Sequence, residues 1–411
     1  MLSLSCVFPN PAEPGLGPFV LSRLSAVGKL AAVNVIAPTP VYDYSNPKGR
    51  IYNPRTFPAV RVDGPLKILH PRWIFPPLGT PLNVFCLFLR LYPIARLLRR
   101  SFAFDLIDAH FGYPDGVAAA LLSRAFGVPY TITLRGSELV FGTYRYRRLV
   151  MSWAFRHACR IIAVSEELRQ FSIAQGAAPD RVVTIPNGID QTTFHPRNRA
   201  EIRMKRGISP KRKVVVSAGE LIEAKGHQYV AQAVHDLVVE GSDVELLIVG
   251  STGRGGPSYE ITLREFVASL GLADRIRFIG WTDRTGVAEL LSAADLFCLA
   301  SHTEGCPNVV HEALACGTPI VASRVGAIPS MIPSTDYGLI IPVRDQKALL
   351  GALRSALAID WDREKIARWG GARTWSEVAR EVSCVFEAVL RESAPHNFQI
   401  GESQARIGDA P

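Results

Sequence analysis

The sequence lacks any run of about 18 uninterrupted apolar residues, the length that crosses a bilayer; its nearest candidate, Leu82 to Leu98, is broken by Arg90, Pro93 and Arg96. Its seven cysteines show neither CxxC pairs nor even spacing, which excludes a disulfide scaffold and predicts a reduced, intracellular protein. The nine histidines have no partner at ligand spacing, so no metal site is expected. Charge is also scarce: 20% of residues are charged against 48% apolar, which excludes a disordered chain. The apolar start, Met1 to Phe8, has no basic lead-in and no small-residue cleavage site before Pro9 and Pro11. It reads as a buried strand and not a signal peptide, and a cytoplasmic protein follows.

What charge there is lies unevenly. Residues 1–194 hold 21 Lys and Arg against 11 Asp and Glu, while the remainder is nearly balanced, so the first half carries the whole formal excess of +9. A basic half fits an anionic membrane surface or a pyrophosphate-bearing ligand. Nucleic acid fits less well, because no basic recognition helix and no aromatics interleaved with arginines are present.

A chain of 411 residues exceeds one hydrophobic core, so two domains are expected. Short Val- and Ile-rich runs recur from end to end. In the first half they fall at Leu2 to Phe8, Ala32 to Ala37, Leu106 to Ala109, Tyr130 to Leu134, Arg160 to Val164 and Val182 to Ile185. In the second they fall at Lys213 to Ala218, Val244 to Val249, Arg275 to Ile279, Asp295 to Leu299, Pro319 to Ala322 and Leu339 to Pro342. Runs that do not alternate are strands buried on both faces. Between them apolar residues recur at helical spacing, as in His227 to Val239 and Val287 to Ala294. Strand and helix in alternation require parallel sheets with right-handed crossovers.

The predicted architecture is therefore α/β, with two doubly wound Rossmann-like domains, residues 1–190 and 191–370, facing a central cleft. Turn residues cluster at the junction, Pro186-Asn187-Gly188-Ile189-Asp190. A helix over 371–394, about Thr374 to Leu390, could pack back on the first domain, and 395–411 reads as a disordered tail. The proline-rich stretch Asn46 to Pro81 reads as an extended excursion. Leu82 to Arg100 is either a helix on the first sheet or one lying on a membrane with Arg96, Arg99 and Arg100 at the headgroups.

The most informative segment runs from Ser301 to Pro319. Glu304 follows a strand, Gly305 permits a tight turn, and Pro307 suits the first turn of a helix. The N–H groups of Asn308, Val309 and Val310 would then form an anion site facing the cleft. Glu304 and Glu312 flank it, which suits a ligand with hydroxyls on both sides of a phosphate: a nucleotide sugar. Asp360 and Asp362 sit at a later helix start, where aspartates serve as caps rather than metal ligands.

Glu304-x7-Glu312 within EGCPNVVHEALACGTPIVAS resembles the signature of retaining GT-B glycosyltransferases, in particular glycosyltransferase family 4. Gly219-Glu220-Leu221-Ile222-Glu223-Ala224-Lys225-Gly226 is similar to the same family's G-R-L-x-x-x-K-G segment, and Pro186 to Asp190 with Phe194, and Phe8 to Gly17, extend the likeness. The resemblance implies a GT-B fold and a retaining, metal-independent hexosyltransferase that needs no cofactor beyond its nucleotide diphosphate sugar, UDP- or GDP-linked.

It further implies that Glu304 bonds the donor sugar, Glu312 the ribose and Lys225 the diphosphate, with Asn308 and Val309 at the helix start. Gly15 and Gly17 would form a loop admitting the donor phosphate or the acceptor. His110 would face the reacting sugar; read from the residues alone it could also be a core histidine bonded to backbone. The family's arginine is replaced by Glu220, and compensation is sought from Arg254 or Arg135; Arg135 and Glu138 are candidate phosphate or acceptor contacts. A lipid-linked or oligosaccharide acceptor in exopolysaccharide or other glycan biosynthesis, at the inner face of the membrane, is the expected setting. A nucleotide-sugar hydrolase or epimerase, and a non-catalytic binding protein, are the rival readings.

Overall fold

The computed structural model describes residues 1–43, 50–51, 58–74, 82–252 and 258–393. All twelve expected strands are present. Tyr130–Leu134, Lys213–Ala218 and Val244–Val249 coincide with their expected bounds, but the first strand stops at Leu4. The chain turns there because the Cys6 N–H donates to Asp115 Oδ1 (3.0 Å) and not to a neighbouring strand.

Eight strands form the first sheet, in the spatial order Val182–Thr184, Arg160–Ala163, Tyr130–Leu134, Ile107–His110, Leu2–Leu4, Val33–Ile36, Leu66–Leu69, Val60–Asp63. All neighbours are parallel except the last pair. That pair corrects the excursion expected over Asn46 to Pro81: residues 60–69 form a hairpin at the sheet edge, turning at Gly64 (φ 55°). Asp63-Gly64 between alternating residues is a hairpin signal that the surrounding prolines obscured. The remainder of that stretch lies partly, and the expected disordered tail wholly, outside the described residues.

The second sheet has six parallel strands, ordered Ile276–Gly280, Val244–Val249, Lys213–Ala218, Leu296–Leu299, Ile320–Ser323, Gly338–Ile341. Central strands of both sheets are buried along their whole length, as at Tyr130–Leu134 and Val244–Val249. Each fully buried Leu, Ile or Val there contributes roughly 1.5–3 kcal/mol.

Two chain segments cross between the sheets and lie against each other. The Ile189 N–H donates to Arg373 O at 2.8 Å, and a Cβ on Gly188 would sit 2.6 Å from Trp375 N. After the second crossing the helix Trp375–Ser393 returns to the first sheet's side, where Val378, Val382, Phe386 and Val389 pack with Val20, Leu24 and Val27 of the helix Pro18–Val27. It starts on a capping box: the Thr374 N–H donates to Glu377 Oε2 (2.6 Å), and the Glu377 N–H returns to Thr374 Oγ1 (3.3 Å). No helix among the described residues is long and apolar enough to cross a membrane.

Candidate functional site

In each sheet the strand order reverses at one place, and ligands of open parallel sheets sit outside the carboxyl ends of the strands there. In the second sheet that place lies between Lys213–Ala218 and Leu296–Leu299, whose following loops carry Lys225 and Glu304. The two loops are fastened together. The His302 N–H donates to Ala224 O at 2.8 Å, and Gly226 (φ 71°) approaches so closely that a Cβ would lie 2.1 Å from Ala300 O. Across this joint Lys225 Nζ donates to Glu304 Oε1 at 2.6 Å, and Ser301 Oγ donates to the same oxygen at 2.8 Å. The lysine stem runs beside Gly219, whose Cβ position is 3.5 Å from Lys225 Cδ. One of three ammonium donors is occupied by Glu304, so others can meet an anion.

Pro307 precedes the helix Asn308–Ala315 and is its N-cap, one position earlier than the first-turn place expected for it. Of the three N–H groups expected to be free, that of Val310 is not: it donates to Pro307 O at 3.0 Å, which tightens the first turn. Asn308 and Val309 head the helix, Val309 against the main cavity and Asn308 against a small pocket beside it.

That cavity, about 930 Å³, lies between the sheets. Gly15, Gly219, Trp281, Arg284, Val309 and Glu312 are among its walls. Burial pushes the half-buried Glu312 carboxyl up to about 7; nearby Arg284 pulls it back and Asp190 pushes it further.

The first sheet supplies the opposite wall. Gly17 (φ 63°) needs to be glycine, since a Cβ would meet Val7 O at 2.5 Å, whereas a Cβ on Gly15 would find only Trp281 Nε1 at 3.6 Å. His110 ends the strand Ile107–His110 and is fully buried. Its Nδ1 accepts from Arg135 Nη2 (2.9 Å) and Nε (3.2 Å), and its Nε2 lies 3.2 Å from Asp108 Oδ2. Burial drives its pKa down to about 4, Asp108 opposing and Arg135 and Arg23 assisting, so the ring is neutral. His110 is not among the cavity-lining residues; its ring faces Asp108 and Arg135.

Arg135, also buried, stacks over Phe19 at 5.0 Å and donates from Nη1 to Asn187 Oδ1 at 3.2 Å. Glu138 is fully buried and accepts three backbone N–H groups, from Gly112 (2.8 Å), Arg135 (3.1 Å) and Gly136 (2.8 Å), so it holds the loop. Arg254 falls outside the described residues. The walls touch where a Cβ on Gly305 would meet Arg135 O at 2.1 Å.

Residues 198–372 match the family described as glycosyl transferases group 1, and residues 43–193 match glycosyltransferase family 4. The chain belongs to the group 1, family 4 glycosyltransferases. An N-acetyl-alpha-D-glucosaminyl L-malate synthase of Bacillus anthracis is 30% identical over 59% of this chain, a match spanning 62% of that enzyme, less than two thirds of its length. A D-inositol 3-phosphate glycosyltransferase of Corynebacterium glutamicum is 29% identical over 72% of this chain and 75% of its own. In fold the chain resembles a sucrose-phosphate synthase of Thermosynechococcus elongatus (TM-score 0.78, 20% identity, 95% of this chain and 99% of that one). It also resembles Anabaena HepE in complex with UDP (TM-score 0.71, 18% identity, 94% and 99%). The fold is GT-B.

This glycosyltransferase has further candidate site residues that motif reading missed. Arg284 joins both sides of the cleft: its guanidinium lies 3.5 Å from Asp190 Oδ2, 3.4 Å from Ser22 Oγ and 5.3 Å over the Phe194 ring. The available signal was Asp283, which caps the helix Arg284–Ala293 and thereby sets Arg284 at a strand-to-helix loop facing the cleft. Trp281 belongs to the same loop and is 60% exposed, unusual for tryptophan unless a ligand or partner covers it. Asn187 stands inside the quoted junction motif, but as a turn residue it gave no hint of its bonds to Arg135 and Asn308.

Proposed function

We propose that this glycosyltransferase moves a hexosyl group from a nucleoside diphosphate sugar to a hydroxyl of a lipid-linked or oligosaccharide acceptor. We further propose retention at the anomeric carbon, and a role in exopolysaccharide or related glycan assembly. The observation that carries the reading is the 2.6 Å Lys225–Glu304 pair beside the helix that starts at Asn308. In this reading the remaining Lys225 donors and the first N–H groups of the helix meet the diphosphate, so the leaving group's charge is stabilised by fixed groups without a metal. Glu304 accepts from sugar hydroxyls and Glu312 from the ribose. The acceptor oxygen bonds to the anomeric carbon as the bond to the β-phosphate oxygen breaks, and the hydroxyl proton passes to that oxygen. No protein nucleophile takes part; the cleft contributes by positioning and by excluding water. Residues 1–190 would take the acceptor and 191–370 the donor.

An anionic membrane surface at the cytoplasmic face is the proposed setting for a lipid-linked acceptor. Two helices of the first half, Leu82–Leu98 and Arg145–His157, contain no acidic residue, and both pack against the segment Gly112–Gly116. They expose Leu82, Phe85 and Leu89, and Tyr146 and Leu149, next to arginines. Apolar side chains with basic neighbours suit an anionic interface.

The test is to supply UDP-, GDP- and ADP-sugars with and without polyprenyl-diphosphate-linked or oligosaccharide acceptors and to follow nucleoside diphosphate release. Release that requires acceptor and vanishes in Lys225→Ala is expected. Breakdown of donor without acceptor would point to a hydrolase, and binding without turnover to a binding protein. Sedimentation with phosphatidylglycerol vesicles, lost in Arg145→Glu/Arg148→Glu, tests the membrane setting.

A further inference from the structure

Five side chains form a polar line from the first sheet to the donor-side helix: Asp108, His110, Arg135, Asn187 and Asn308. Asn187 Nδ2 donates to Asn308 Oδ1 at 2.9 Å, while Asn187 Oδ1 accepts from Arg135 Nη1 at 3.2 Å. Except for Asn308 the members are at most 8% exposed, so water cannot readily substitute for a missing partner.

The direction of every bond in this line follows from one fact: a guanidinium has five donors and no acceptor. His110 Nδ1 must therefore offer its lone pair to Arg135, which puts the ring's hydrogen on Nε2, beside Asp108. Asn187 must turn its oxygen to Arg135, which leaves its NH₂ for Asn308. Asn308 must then turn its own oxygen inward, so its NH₂ lies on the side away from Asn187, at the head of the helix proposed to face the diphosphate.

We propose that Arg135 is a positioning residue that sets the polarity of the Asn187–Asn308 pair, so that Asn308 presents donors rather than an acceptor to the bound donor substrate. The inference rests on the nucleotide-sugar reading for the identity of the ligand, but not for the bond directions. It also assigns Arg135 a task other than direct contact with phosphate.

The decisive variant is Asn187→Asp. An aspartate still accepts from Arg135 and fills the same volume, yet it cannot donate to Asn308. Asn308 then has to reverse its amide and turn its oxygen outward. UDP, GDP and ADP are the probes, with binding measured by calorimetry and turnover by nucleoside diphosphate release. Asn187→Asp is expected to lower kcat/KM and affinity for the preferred nucleotide about tenfold or more. Asn308→Asp, which also presents an oxygen outward, should reproduce the loss. Arg135→Lys keeps a donor-only group and should retain most activity; Arg135→Gln, which can donate or accept, should not. Equal affinity in wild type and Asn187→Asp overturns the proposal, as does equal activity in the Lys and Gln variants.

Imidazole ¹⁵N spectra of histidine-labelled wild-type protein provide a reading that needs neither turnover nor ligand. His110 is expected as the Nε2–H tautomer; an Nδ1–H tautomer overturns the line at its origin. If wild type binds no nucleoside diphosphate while the tautomer is as expected, the nucleotide-sugar reading has failed and the bond directions stand.

Discussion

Both walls of the cleft carry ionisable side chains but use them differently. On the first-sheet wall Asp108, His110, Arg135 and Glu138 are buried, and their contacts go to one another, to Thr131, to backbone amides or to Asn187 at the domain junction. On the second-sheet wall Lys225, Arg284 and Glu312 are partly open, and Arg284 and Glu312 border the cavity directly. Buried charges are held in one arrangement by their partners, whereas partly open ones keep donors and acceptors for a ligand. The basic first half thus turns its arginines in two ways among the described residues: Arg135 is buried and partnered at the cleft, whereas Arg90, Arg96, Arg145 and Arg148 are exposed on the helices Leu82–Leu98 and Arg145–His157.

Removing the Lys225 ammonium from the second wall should break this contrast most visibly. Lys225→Ala is expected to lower turnover about a thousandfold, the cost of losing a group aimed at developing leaving-group charge. Nucleoside diphosphate release checks it, with circular dichroism confirming the fold. Turnover within tenfold of wild type would mean that diphosphate charge is met elsewhere.

The next effect comes from where the walls touch. Gly305→Ala would push a methyl to 2.1 Å from Arg135 O, so the walls must separate by an ångström or more. A misplacement of that size costs about a hundredfold in rate. The expected result is a fall in kcat larger than any fall in nucleotide affinity, because in the proposed reading most nucleotide contacts come from the second wall and the first wall reaches them only through Asn187 and Asn308.

Glu312 offers a smaller and pH-dependent effect. Its folded pKa of about 7 lies above the ordinary 4.5, so the folded state holds a proton that the unfolded chain has released. Stability from this group is complete below about pH 4.5 and is lost as pH rises through about 7. Relative to Glu312→Gln, wild type should lose on the order of 1–2 kcal/mol over that range, discounted for solvent at the cavity mouth. Thermal melts of both proteins from pH 4.5 to 8 check the sign.

The same contrast explains what could be read from the sequence. Both sheets, and the Lys225–Glu304–Glu312 wall, follow from local spacing: a strand end, a Gly turn and a helix start within a few residues. The first wall does not. Whether His110 faces the cleft is decided by Asp108 and by Arg135, 25 positions away, and Asn187 finds Asn308 121 positions away. Polar pairings at such separations leave no periodicity. The edge hairpin at 60–69 escaped for a different reason: edge strands tolerate flanking prolines, which then read as irregular chain.

The weakest perturbation compares two glycines of one loop across the cleft. Gly17 is held in left-handed backbone against Val7 O, but Gly15 has an ordinary φ, and a Cβ there would reach only Trp281 Nε1 at 3.6 Å, normal contact distance. Gly15→Ala should therefore change melting by less than about 0.5 kcal/mol and turnover by no more than about twofold. The methyl would lie on the Trp281 indole, which faces the cavity. Should Gly15→Ala instead weaken nucleotide binding strongly while leaving stability alone, the ligand must need the space between Gly15 and Trp281, and the loop of the first wall would have to be counted with the second as part of the donor site.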